Sequence, residues 1–127
     1  MPKKVHSIEG TVAPMGPYSV ATEAHGLVFI AGQVAIDPTS GERVEGDAAA
    51  QTKRVMENLK IILDGVGLRF DDIAKTNVYL ADIGDYAAVN EVYGSYFSEG
   101  QFPARAAFQV SGLPGGVDVE IEAIAAR

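Results

Sequence analysis

The stretch Leu27-Val28-Phe29-Ile30 is apolar at all four positions and predicts a β-strand. Successive side chains of a strand point to opposite faces of its sheet, so this strand is apolar on both faces. A strand of this kind implies cover on both sides of its sheet. The rest of the chain, or a second molecule, must therefore cover two sheet faces.

The elements around this strand have both helical and strand periodicity. A helix is predicted from the N-cap Asp47 to about residue 65, because apolar residues recur there at helical spacing. A second helix is predicted from about residue 85 until Gly100 ends it. Further strands are predicted at residues 5–8, 73–80, 104–110 and 117–125.

This order of elements predicts an α+β sandwich with both helices on one face of a sheet of four to six strands. Two helices cover only one side of such a sheet, whereas Leu27–Ile30 is apolar toward both sides. Self-association through the uncovered face is the simplest solution. We therefore expect a homo-oligomer, and a monomeric mass by light scattering would contradict this expectation.

Composition narrows the class of protein. The 127 residues are 47% hydrophobic, which predicts one compact domain over residues 1–127. Ten Lys and Arg against seventeen Asp and Glu give a net charge of −7, which argues against a nucleic-acid partner. There is no cysteine, so thiolate nucleophiles and thiolate metal sites are excluded. No apolar run is long enough for a membrane span, so a cytoplasmic protein is expected.

Two strands carry the candidate chemistry. Alternation in residues 117–125 predicts one face with Val119, Ile121 and Ala123 and the other, helix-free face with Asp118, Glu120 and Glu122. Alternation in residues 104–110 predicts an apolar set of Ala104, Ala106, Phe108 and Val110. Arg105 would then face the same layer as Glu120. The pair is either a structural ion pair or a guanidinium that grips a small carboxylate, with Glu120 handling a proton.

Other signals are weaker and leave alternatives open. Tyr18 follows Gly16-Pro17, where its ring either lies over a pocket or anchors the loop on the core. Gly32 allows close approach of a ligand to the backbone, or marks a β-bulge. Asn90 lies off the apolar stripe of the second helix and is more typical of a solvated or capping group. His6 and His25 are far apart in sequence, so no metal site is expected.

Several segments together resemble the RidA/YjgF family over nearly the whole chain. The most specific are Pro103-Ala104-Arg105 and Val119-Glu120-Ile121-Glu122-Ala123. The others are Gly16-Pro17-Tyr18-Ser19, residues 27–33, Gln51-Thr52, residues 75–80, residues 89–93 with Tyr96-Phe97, and Leu113-Pro114.

The resemblance implies a chorismate-mutase-like fold with a mixed sheet of about six strands, a homotrimer, and clefts between subunits. It also implies hydrolysis of reactive enamines and imines, such as 2-aminoacrylate, 2-iminopropanoate and 2-iminobutanoate, to 2-oxo acids and ammonia without a cofactor. By this resemblance Arg105 binds the substrate carboxylate, Glu120 positions or activates water, and Tyr18 belongs to the pocket. Gly32 and Asn90 fall at positions associated with the cleft.

The chain departs from the family pattern at three alanines. Ala31 stands where members often have Ser or Thr, and Ala106-Ala107 stand where Ser or Thr and then Cys or another small residue are common. Ala107 is expected on the pocket side with Arg105, which predicts a more apolar cleft and a different preferred substrate side chain.

Two other functions remain as alternatives. One is a regulatory module that binds a small carboxylate in the same cleft. The other is an endoribonuclease or translation inhibitor, against which the net charge and the lack of a histidine pair argue.

Overall fold

A computed structural model describes residues 2–127 as one six-stranded mixed sheet with two helices on one face. The strands are β1 (Lys4–His6), β2 (Ala21–Ala24), β3 (Leu27–Val34), β4 (Ile73–Leu80), β5 (Ala104–Gln109) and β6 (Val119–Ala126), and the helices are α1 (Ala48–Gly65) and α2 (Tyr86–Gly94). The strand order is β1-β2-β3-β6-β4-β5, with β4 and β5 parallel and the other neighbours antiparallel. The predicted α+β architecture is confirmed.

The first helix has the predicted boundaries, but the second is shorter than predicted. The Asp47 carboxylate accepts a hydrogen bond from the Ala50 amide at 3.0 Å, which caps α1. Helix α2 ends at Gly94 rather than Gly100. Residues 95–97 form a turn and a bend, and Phe97 packs against Tyr93 of α2 and edge-on against Phe70, with ring centroids 5.0 and 5.7 Å apart. None of the helices within residues 2–127 is long and apolar enough to cross a membrane.

Strand β2 was absent from the sequence prediction. It forms a tight hairpin with β3, in which only His25 and Gly26 lie between the paired residues Ala24 and Leu27. Both turn residues have positive φ, 52° and 75°, as two-residue turns that match strand twist require. Strand β1 ends at His6, two residues before the predicted end.

The hydrophobic core lies between the helices and one face of the sheet. On β6 the predicted alternation is confirmed, because Val119, Ile121 and Ala123 are buried in this core. On β4 Thr76 and Val78 face the same side, opposite Ala123 and Ile121 respectively. Paired residues of neighbouring strands lie on the same face of the sheet. These pairings therefore identify the residues of each neighbouring strand that face the helices.

The other face of the sheet is uncovered and partly apolar. Val28 and Ile30 of β3 are buried under the helices, whereas Leu27 and Phe29 are 37% and 39% exposed on the opposite face. Phe108 of β5 is 47% exposed on that face too, where it packs edge-on against Tyr79. Strand β3 is therefore apolar on both faces, as its sequence indicated. We call this uncovered surface the open face.

Candidate functional site

Arg105 lies on the helix side of the sheet, not on the side of Glu120. In the β4–β5 register it is the partner of Thr76, whose side chain is buried under the helices. Glu120 is the partner of Tyr79, which faces the open side. The prediction that both residues face one layer is wrong. An alanine-rich strand carries little hydrophobic contrast, and its apolar set with Phe108 faces the open side instead.

Helix α2 holds the Arg105 side chain through one polar and two aromatic residues. An Nη1 hydrogen donates to Asn90 Oδ1 at 2.8 Å, and an Nη2 hydrogen donates to the Tyr86 hydroxyl at 3.0 Å. The guanidinium carbon lies 5.0 Å from the ring centre of Tyr93 and 5.4 Å from that of Tyr86, within cation–π range. We call Arg105, Asn90, Tyr86 and Tyr93 the arginine cluster.

The arginine cluster contains no negative charge. Within residues 2–127 no carboxylate lies within salt-bridge distance of Arg105. A guanidinium has five N–H donors, and the contacts with Asn90 and Tyr86 use two of them. Burial raises the pKa of Tyr93, so that residue stays a neutral phenol, 2.7 Å from the Thr76 hydroxyl. The side chain is therefore fixed while its charge stays available to an anion.

Spacing along α2 explains these contacts. Residues 86, 90 and 93 are four and three apart and share one helix face. Asn90 is not merely a solvated polar group, since its amide oxygen orients Arg105. Neither Tyr86 nor Tyr93 is predicted from the sequence as a partner of Arg105, although their helical spacing from Asn90 places both on its face.

Glu120 lies in a cleft of about 370 Å³ on the other side of the sheet. Four of the residues that line this cleft form what we call the glutamate cleft: Tyr18, Ala31, Gly32 and Glu120. The remaining lining is apolar and consists of Met15, Val34 and Pro114, none of which the sequence analysis predicts as a site residue. A small organic molecule fits a concave site of this size and composition.

Gly32 leaves the space that the Glu120 carboxylate occupies. The register between β3 and β6 shifts between Ile30 and Gln33, so Gly32 lies in a β-bulge, as one of the two predictions had it. A Cβ atom at position 32 would lie 3.2 Å from Glu120 Cγ and still closer to its carboxylate oxygen. The bulge and the close approach therefore occur together, and the bare backbone leaves room for the carboxylate.

Tyr18 is both a loop anchor and a wall of the cleft. Its amide donates to the Gly16 carbonyl at 2.9 Å, which closes a tight turn. Its hydroxyl accepts a hydrogen bond from the Met15 amide at 3.2 Å, and the residue is 49% exposed. The ring is thus fixed beside Gly32 and Glu120.

The three acidic residues of residues 118–122 do not act as one set. Asp118 is tied to α1, where Gln51 Nε2 donates to its carboxylate at 3.1 Å and Gln51 Oε1 accepts from its amide at 2.8 Å. Its predicted place beside Glu120 on the helix-free side is wrong, because it precedes β6 and the chain bends there. Burial and then the charge of Glu122 raise the pKa of Glu120.

The predicted site residues thus form two groups in one chain. Arg105 and Asn90 lie on the helix side, together with Ala107, which pairs with Val78 and packs against the core. The glutamate cleft lies across the sheet. Within residues 2–127 no three His, Cys, Asp or Glu side chains are grouped so that they could hold a metal ion.

Comparison with known proteins gives consistent matches over the full chain. The family model described as endoribonuclease L-PSP matches residues 9–127. A RutC family protein of Pyrococcus abyssi is 50% identical over 125 residues, which cover 98% of each chain. The 2-iminobutanoate/2-iminopropanoate deaminase of Mus musculus is 46% identical over 125 residues, 98% of this chain and 92% of that protein.

A solved structure also has this fold. The crystal structure of Escherichia coli TdcF with bound serine superposes with a TM-score of 0.90 and 37% sequence identity. The match covers 98% of each chain.

Proposed function

Because the chain belongs to the endoribonuclease L-PSP family, the RidA/YjgF family, we propose that it hydrolyses reactive enamines and imines to 2-oxo acids and ammonia. The proposed substrates are small imino acids, namely 2-iminopropanoate, its enamine tautomer 2-aminoacrylate, and 2-iminobutanoate. The mammalian relatives at 43–46% identity carry the name of this activity. The proposed reaction uses no cofactor.

The observation that carries the proposal is the charge of Arg105, which is fixed but unpaired. A guanidinium held by Asn90 and Tyr86 keeps its planar fork in one orientation and leaves N–H donors free. A carboxylate accepts two parallel hydrogen bonds from such a fork. Arg105 is therefore suited to bind and orient the carboxylate of a planar imino acid.

A single chain does not offer Arg105 and Glu120 to one small substrate, since they lie on opposite sides of the sheet. We propose that the cleft forms between subunits of a homotrimer, with Arg105, Asn90 and Ala107 from one subunit and the glutamate cleft from its neighbour. Two observations support this. Strand β5 is at the edge of the sheet, and the open face exposes Leu27, Phe29 and Phe108.

We propose that Glu120 acts on water. Water attacks C2 of the protonated imine while the Glu120 carboxylate accepts a proton from it, which gives a tetrahedral amino alcohol. The amino nitrogen then takes up that proton from Glu120 and the C2–N bond breaks with loss of ammonia. The C2 hydroxyl gives up its proton to water as C2 becomes the carbonyl of the 2-oxo acid. The enamine enters this route by protonation at C3. Tyr18 forms one wall of the glutamate cleft, where it shields the reacting atoms from solvent.

The test is an imine hydrolysis assay. An amino-acid oxidase or a dehydratase generates 2-iminopropanoate or 2-iminobutanoate, and the loss of imine is followed with the protein and without it. We expect acceleration by the wild type and a fall in kcat/KM of roughly 100- to 1000-fold in Arg105→Ala, because two charge-assisted hydrogen bonds are lost. Arg69→Ala is the matched control, since Arg69 is exposed at the start of a 3-10 turn.

Two outcomes would replace the proposal. Calorimetric binding of a 2-oxo acid without turnover, lost in Arg105→Ala, would indicate a carboxylate-binding regulatory module. RNA degradation that survives repurification and is lost in a Glu120 variant would indicate a ribonuclease. No acceleration with either imine would contradict the deaminase function.

A further inference from the structure

A polar network lies on the open face beside Glu120. Glu122 Oε1 accepts hydrogen bonds from Asn77 Nδ2 and from the Tyr79 hydroxyl, each at 2.9 Å. Asn77 is the β4 partner of Glu122, and Tyr79 is the β4 partner of Glu120. Tyr79 therefore spans the two glutamates but donates its proton to the farther one. The two donors fix the Glu122 carboxylate in place.

Glu120 is in the opposite situation. Within residues 2–127 no donor hydrogen-bonds its carboxylate, which lies against the bare backbone of Gly32. Glu120 and Glu122 are two residues apart on one face of β6, which separates their backbones by about 7 Å. A carboxylate without donors thus lies next to a second carboxylate that is held in position.

We propose that Glu122 is a positioning residue for the hydrolysis proposed above: its fixed negative charge strengthens Glu120 as the base that takes a proton from water. This inference rests on the proposed function. It explains why Tyr79, directly opposite Glu120, is turned toward Glu122. A hydrogen bond from Tyr79 to Glu120 would stabilise the Glu120 carboxylate and weaken it as a base.

The charged and titratable groups around Glu120 and Glu122 support this effect of Glu122 on Glu120. Burial and the charge of Glu122 both raise the pKa of Glu120. Burial, followed by the bond to Glu122, raises the pKa of Tyr79, so Tyr79 stays a neutral donor. Lys75 of β4 lies on this face, where it lines a depression with Asn77 and Glu122, on the side of Glu122 away from Glu120. A second cation, Arg43, donates to the Gly116 carbonyl, in the loop whose Pro114 lines the glutamate cleft.

Other elements against the pair add few titratable groups. Within residues 2–127, β3 presents Phe29 and Val34 on this face, and β5 presents Ala104, Ala106 and Phe108. The N-terminal loop adds the phenol of Tyr18. In the proposed trimer, Arg105 of a neighbouring subunit adds a cation at the substrate, and this cation is present equally in the variants tested below.

The test is Glu122→Gln, which removes the charge but keeps a side-chain oxygen to accept from Asn77 and Tyr79. We expect Glu120, followed by ¹³C NMR of its carboxyl carbon, to titrate about half to one pH unit lower. The acid limb of kcat/KM should move by the same amount. The plateau of kcat/KM should fall about two- to threefold, because a weaker base accepts the proton less readily.

Two further variants separate charge from structure. Glu122→Asp keeps the charge and should restore the titration of Glu120 and the acid limb toward their wild-type positions. Glu9→Gln removes the same charge from an exposed loop, next to Gly10, which lies over α1. Glu9→Gln should change neither the titration of Glu120 nor the acid limb of kcat/KM. A merely structural role for Glu122 would lower activity without moving the acid limb.

Each failure has its own signature. If Glu120 titrates unchanged in Glu122→Gln, the two carboxylates are not coupled and the inference is wrong. If the titration moves but kcat/KM keeps both its acid limb and its plateau, the coupling has no role in the reaction. If the wild type hydrolyses no imine, the proposed function fails and the role in catalysis with it, while the NMR titration still shows whether the carboxylates are coupled.

Discussion

The arginine cluster and the glutamate cleft differ in how far one chain completes them. Arg105 has its orienting partners on α2, all neutral, at 2.8 and 3.0 Å. The Glu120 carboxylate accepts no hydrogen bond from residues 2–127, and it lies against the bare backbone of Gly32. The first group is rigid and ready for an anion, whereas the second leaves space and an unoccupied proton acceptor.

For the proposed hydrolysis, we interpret this difference as a division between substrate binding and proton transfer. Binding needs a fixed geometry, and hydrogen bonds to neutral groups supply it without cancelling the charge. Proton transfer needs a carboxylate that is not already stabilised by donors. A chain that keeps these two groups on opposite sides of its sheet can combine them only with a second copy of itself.

Beyond the loss expected for Arg105→Ala, the largest effect is expected from crowding the glutamate cleft with Gly32→Ala. The added methyl group would overlap the Glu120 carboxylate oxygen, so the carboxylate must move. We expect kcat to fall about 10- to 100-fold, since a displaced catalytic group loses its geometry. Gly112→Ala is the control, because a Cβ there meets no atom within 4 Å. Equal activity of Gly32→Ala and Gly112→Ala would show that the position of Glu120 does not matter.

A smaller effect is expected from loosening the arginine cluster with Tyr86→Phe. The ring that packs on the guanidinium remains, while the hydrogen bond at 3.0 Å is lost. We expect KM to rise about two- to fivefold with little change in kcat. Tyr96→Phe, which removes a hydroxyl bonded to Glu57 on α1, should leave both constants unchanged. A fall in kcat alone would mean that Tyr86 acts on the reacting atoms.

The smallest effect is expected on stability, from Glu120→Gln. The folded pKa of Glu120 lies above its unfolded value, so its ionisation weakens the folded state as pH rises through the folded pKa. Glutamine does not ionise. After allowance for solvent screening, we expect the variant to be more stable by a few tenths to about 1 kcal/mol at about pH 8.

The pH dependence of the free energy of unfolding tests whether Glu120→Gln is stabilising. Urea unfolding at one protein concentration should give the same free energy of unfolding for wild type and Glu120→Gln at about pH 3.5. At this pH the side chain at position 120 is uncharged in both proteins. A variant that is less stable than the wild type at high pH would mean that ionised Glu120 is stabilised in the fold.

Periodicity predicted the parts of the fold in which hydrophobic contrast is strong. Alternation on β6 placed Val119 and Ile121 in the core correctly, because each is flanked by a charged residue. Strand β5 has no such contrast, and its arginine was placed on the wrong side. On its true side the arginine contacts two aromatic residues of α2, which lie outside the strand and are not visible in its alternation.

Prediction from local sequence was also limited where a strand is short and where a contact joins residues that are distant in the sequence. Strand β2 has four residues, Ala-Thr-Glu-Ala, and no apolar run, so only the following His25-Gly26 turn marked it. The family resemblance supplied Tyr18, Gly32 and Asn90 as site residues. It did not supply the contact between Gly32 and Glu120, since that contact depends on the bulge in β3.

Mixing two inactive variants tests most directly whether the site is shared between chains. Arg105→Ala and Glu120→Gln are dissociated together, reassociated, and checked for mixed oligomers by native mass spectrometry. A cleft between subunits predicts that equal amounts recover up to about a quarter of wild-type activity, since random assembly rebuilds one cleft in four. Mixed oligomers with no more activity than the separate variants would place Arg105 and Glu120 in different sites and contradict the shared cleft.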